Sequence, residues 1–173
     1  MSKPSSGFSL TELLVVLAIV AILAVVTIPI SGYMRARAEK VKCIGNLRVL
    51  HSSLGSYTND RGHWPQDPAD YSDENEYWGW WIEELESYGM AEETWACPAE
   101  RRDRLIEEEP GAKVVSYIPT DFGPEQNAAY RYAGQPWAME IGSPHDEAAH
   151  LLFPDGSVRQ YVNNQDLGEG GEE

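Results

Sequence analysis

The chain has 173 residues, 42% of them hydrophobic, with 28 acidic against 13 basic side chains and a net charge of −15. That length suits one compact domain. The acidity excludes a binder of phosphate backbones, which needs clustered Lys and Arg to neutralise phosphates and release counterions, so no nucleic acid partner is expected. The apolar residues are unevenly spread: Leu13 to Ile30 carries no charge, and because Lys3 and Glu12 cancel, the whole net charge lies after Ile30. An acidic surface of this kind is most simply a solvated one, and secondarily suits a divalent cation.

Met1 to Gly7 is a short polar stretch, followed abruptly by FSLTELLVVLAIVAILAVVTIPI. At ~1.5 Å per residue, a helix over Phe8 to Ile30 would be roughly 35 Å long and could cross a hydrocarbon core of ~30 Å. The run is too long for a secretory signal and lacks the small-x-small cleavage site. A plain signal anchor would account for everything except Glu12 and the Gly7-Phe8 junction. An unpaired acid near the bilayer centre costs ~2.5–3.5 kcal/mol, which predicts a cationic partner for Glu12. A cut after Gly7 would create one, the α-amine of Phe8, on the same chain or on a neighbour. Pairing between neighbours would favour assembly and set its axial register.

The string GFSLTELLVVLAIVAILA resembles the N-terminal signature of type IV prepilins and type II secretion pseudopilins. The resemblance implies that prepilin peptidase cuts after Gly7 and that Phe8 becomes the N-methylated first residue. It makes Glu12 the assembly glutamate and Pro29 a helix-loosening proline. It also implies a polymer of like or related pilin-like subunits, an inner-membrane assembly platform, contact with inner-membrane lipid, and a C-terminal domain in the periplasm. Arg35, Arg37, Lys40 and Lys42 beyond the span, against Lys3 before it, would favour the opposite orientation by charge alone. The leader signature takes precedence over that count.

Beyond Pro29, Val41, Ile44, Leu47, Leu50 or His51, Leu54 and Tyr57 recur at helical spacing, predicting a spine over 35–57 that stops between Asn59 and Gly62. Residues 63–77 read as a connecting loop. A short helix follows over Trp78 to Tyr88, with Trp78, Trp81, Ile82 and Leu85 on one face and Trp80 pointing away. Val114 to Ile118, Tyr130 to Tyr132 and Trp137 to Ile141 read as strands, and Leu151 to Val162 as a β-hairpin with a type I′ turn at Asp155-Gly156. The expected fold class is α+β, a pilin fold: a long N-terminal helix packed on a small antiparallel sheet. The expected divisions are a leader (1–7), a transmembrane and assembly helix (8–30), a periplasmic domain (31–167) and a disordered tail (168–173).

His145, nine residues before Asp155-Gly156, forms an H-x9-DG element that resembles that of prepilin-type proteins of planctomycetes and verrucomicrobia; CIGNLRVLHSSLGSYTNDRGHWP and Ala96-Cys97-Pro98 resemble other segments of theirs. Asp-Gly is equally explained by the turn alone. Calcium is the one cofactor considered, by likeness to major pseudopilins, with Asp121, Glu125, Asp146 and Asp155 as oxygen donors. Their spacing matches no EF-hand. In an oxidising periplasm, Cys43 and Cys97 would form a disulfide, against the alternative of two buried thiols. HDEAAH is not a zinc-protease helix, because its histidines stand five apart. Nor is there a nucleophile elbow, a phosphate loop or a C-x-x-C pair, so no enzyme class is supported. The expected function is a structural subunit of a type II secretion pseudopilus or related filament; the alternative is an anchored, non-polymerising module that binds a metal or a carbohydrate.

Overall fold

The computed structural model describes residues 9–67, 71–100, 114–125, 127–141 and 148–162, with the side chains of 26–31 outside that description. The chain forms two compact units, Met1–Ala38 and Glu39–Glu173. Helix α1 (Leu10–Arg61, 52 residues) runs through the described residues of the first unit and opens the second. In the first unit every side chain from Leu10 to Val25 is exposed. The backbone stays helical through Pro29, the expected helix-loosening proline, and on through Ser31-Gly32. A proline removes one N–H from the ladder and the turns on either side keep theirs, so this helix loses a bond without losing its continuity.

In the second unit, α1 buries Cys43, Leu47, Leu50, Leu54 and Tyr57, one stripe at three- and four-residue spacing. Val41, expected in that stripe, is exposed; Cys43 and Asn46 occupy the inward positions. The helix ends at Gly62, whose φ of 78° lets its N–H bond the Thr58 carbonyl at 2.9 Å. Trp64 then turns inward, edge-on to Phe122 and Trp137. Helix α2 (Glu74–Glu86) starts four residues before the expected Trp78 because its cap lies upstream. The Asp73 carboxylate accepts from Glu76 N, while Glu76 Oε2 accepts from both the N–H and the hydroxyl of Ser72. Those Ser72 bonds hold the Glu76 carboxyl below its ordinary pKa. Trp78, Trp81, Ile82 and Leu85 are buried as the pattern predicts. Trp80 is half-buried, its ring 5.2 Å from that of Trp81, and is not the outward indole expected.

Among the described residues four short strands follow: β1 (Tyr117–Pro119), β2 (Ala138–Glu140), β3 (Ala148–Leu152) and β4 (Val158–Val162). They form one antiparallel sheet in chain order, giving the α+β architecture of a pilin fold. Alternation places Tyr117, Ala138, Glu140, Ala148, His150 and Leu152 on the buried face. Tyr130 to Tyr132, expected as a strand, is not one. Asn127, at φ 64°, leads into a 3-10 turn over Ala128–Tyr130, and the Ala129 carbonyl accepts from Trp137 Nε1 at 2.8 Å. Two buried alanines and that bond hold the segment as a turn.

Burial sets up an alkaline limit on this unit. Tyr57 is pushed up to about 12, first by burial and then by the Glu84 carboxylate; Tyr117 is raised by burial and by Glu140. An unfolded tyrosine ionises near ~10, so the stabilisation from keeping these phenols neutral is complete below that pH and is lost as pH rises towards 12. In an alkaline titration followed by absorbance and circular dichroism, both phenolates should appear together with unfolding. Titration of all tyrosines near 10 in a folded domain would contradict this.

Candidate functional site

Gly7 and Phe8 lie outside the described residues. The first described residues show what Glu12 does in the single chain. Its Oε2 accepts a hydrogen bond from Ser9 N at 2.8 Å, satisfying one of the free N–H groups at the start of α1, and the Ser9 and Thr11 hydroxyls bond each other at 2.7 Å. The carboxylate is thus held at the Ser9 amide. Among the described residues no helix is long and apolar enough to cross a membrane. The described apolar side chains run from Leu10 to Val25, and those of 26–31 fall outside.

His145 and Asp146 also lie outside the described residues; Asp155 and Gly156 lie in the β3–β4 turn. Gly156 N donates to the Phe153 carbonyl and Phe153 N to that of Ser157, both at 2.9 Å. Gly156 has φ 76°, whereas Asp155 does not have positive φ, so the expected type I′ turn is corrected to a type I turn over Phe153–Gly156 with the glycine left-handed. Pro154 is the reason: its fixed φ suits the second position of a type I turn.

This turn is tied to the spine. His51 Nε2 lies 3.0 Å from the Pro154 carbonyl, and its ring stacks on Trp137 at 4.9 Å. A Cβ at position 156 would come 3.3 Å from His51 Cε1, besides needing the left-handed backbone. Gly156→Ala is therefore expected to destabilise the domain by about 1–2 kcal/mol, read as a fall in thermal midpoint. His51 was legible only as an alternative to Leu50 in the helical stripe.

Asp155 acts within the turn. Its Oδ1 accepts from Ser157 N at 2.9 Å, and its Oδ2 lies 3.7 Å from the Arg159 guanidinium. The Ser157 hydrogen bonds, and secondarily Arg159, hold its carboxyl below its ordinary pKa. Asp121 and Glu125 are exposed. Among the described residues, neither these two nor Asp155 belongs to a group of three side chains near enough to share an ion.

The group that does converge is Cys43, Cys97 and Glu140. Cys43 on α1 and Cys97 are joined by a disulfide, with Cα atoms 5.2 Å apart across a separation of 54 residues. The surrounding backbone is fastened independently of the sulfurs. The Tyr117 hydroxyl donates to the Cys43 carbonyl, Cys97 N donates to Ser116 Oγ, and Asn46 Nδ2 donates to the Ala96 carbonyl. Beside the disulfide, Glu140 Oε2 meets His150 Nδ1 at 2.6 Å and accepts from His150 N at 3.2 Å. Both side chains are almost wholly buried. Sequence reasoning passed over this pair. Its only signal was the strand alternation Ala138-Met139-Glu140, which turns Glu140 inward.

The arrangement of a long N-terminal helix, a second helix and a small antiparallel sheet defines the class of fold, and the N-terminus defines the class of processing. The family model for the prokaryotic N-terminal methylation motif matches residues 2–28. The chain thus carries the signature of a type IV pilin-like protein processed as a prepilin. No curated protein and no solved structure matches it.

Proposed function

We propose that this chain is a structural subunit of a type II secretion pseudopilus or a related type IV pilus-like filament. The carrying observation is the wholly exposed apolar helix Leu10–Val25 with one acid, Glu12, inside a methylation motif. An apolar surface of that length is covered by lipid or by other subunits. Prepilin peptidase cuts between Gly7 and Phe8, Phe8 is N-methylated, and Phe8–Ile30 holds the precursor in the inner membrane with the acidic domain in the periplasm. Assembly transfers the same segment from lipid into a bundle of sister helices, where Glu12 meets a Phe8 amine. The chain's work is mechanical rather than catalytic.

Co-expression with a prepilin peptidase tests the reading. Intact-mass spectrometry should show loss of residues 1–7 and one added methyl group on Phe8. A chain that kept its leader, or was cut elsewhere, would overturn it.

A further inference from the structure

We propose that when the Cys43–Cys97 disulfide is open, the two sulfurs and Glu140 hold a zinc ion. One ligand atom from each of the three residues lies within 4.8 Å of the other two, and all three residues are buried. Two thiolates and a carboxylate form a donor set suited to zinc. Glu140 adds an independent sign of a ligand. Its Oε2 is engaged by His150, whereas its Oε1 is buried without a hydrogen-bond partner. An acceptor left in that condition suits a cation.

His150 acts as the positioning residue. Its ring and backbone N–H both meet Oε2, fixing the carboxylate as outer partners fix metal ligands. The bonds to the Cys43 carbonyl and the Cys97 amide leave the sulfurs free to separate without releasing either backbone.

The exchange is balanced by a dithiol reductant. It gives two electrons and two protons to the S–S bond and becomes a disulfide itself; Zn²⁺ then displaces both thiol protons to solvent. The domain would have two locked states, one held by a disulfide and one by a metal. This holds whether or not the chain polymerises.

The test uses the full chain in detergent micelles, reduced anaerobically with a phosphine, freed of reductant and titrated with Co²⁺ as the zinc probe. One equivalent should bind with thiolate-to-cobalt charge-transfer absorption, be displaced by Zn²⁺, and be absent from the oxidised chain. Glu140→Gln and His150→Asn should each weaken binding about 10–100-fold while the reduced variants keep their far-ultraviolet circular dichroism. A reduced, folded chain without the thiolate band would overturn the proposal. So would equal binding by the oxidised chain, variants that bind as tightly as the parent, or a reduced chain that unfolds and is not refolded by Zn²⁺.

Discussion

Glu12→Ala is expected to abolish filaments while leaving the amount of chain in the membrane unchanged or increased. In the single chain the Glu12 carboxylate accepts from Ser9 N, a local bond at the helix start. Processing after Gly7 would place a positive amine one peptide away from that nitrogen, and a neighbour's amine could exchange with the local donor. In an apolar bundle the two charges strengthen each other far more than in water. Glu12 is therefore costly to a lone helix in lipid, by at most the ~2.5–3.5 kcal/mol of an acid at the bilayer centre, and favourable only where an amine meets it. Alanine removes the cost and the register together. The check is electron microscopy of sheared filaments beside membrane fractionation of the same cells. Normal filaments from Glu12→Ala would remove the assembly role, whereas loss of the chain from the membrane would show that Glu12 serves insertion.

The second large effect is expected at the disulfide. Cys43 and Cys97 close a loop of 54 residues that contains α2 and most of the aromatic core. A cross-link over a loop of that length restricts the unfolded chain by about 4 kcal/mol in the chain-entropy account. Cys43→Ala with Cys97→Ala should therefore lower the thermal midpoint by roughly 10–20 °C in metal-free buffer. The same midpoint in the double variant and the oxidised parent would mean that core packing alone holds the spine to the Cys97 segment.

The parts of the fold governed by local pattern were legible. The inward stripe Leu47, Leu50, Leu54, Tyr57 and the α2 face Trp78, Trp81, Ile82, Leu85 follow from helical spacing, because an apolar face must be buried whatever it meets. The strand at Tyr130 failed because two buried alanines and an indole bond, both tertiary, favour a turn. The turn at Asp155-Gly156 was placed correctly and typed wrongly, since Pro154 selects a type I geometry.

Alone, the sequence determined the apolar N-terminal helix, the methylation motif at residues 2–28, the acidic character of the remainder and the α+β class. These depend on periodicity, composition and a contiguous signature, all local properties. With two cysteines in the chain the sequence offered Cys43–Cys97 against two buried thiols, and the structure joins them. Only the tertiary structure decided that His51 anchors the β3–β4 turn and that Glu140 and His150 are paired beside the disulfide. Each of these joins residues distant in sequence or fixes which way a strand faces the core. Contacts of that kind arise from the packing of whole elements, and no spacing of residues records them.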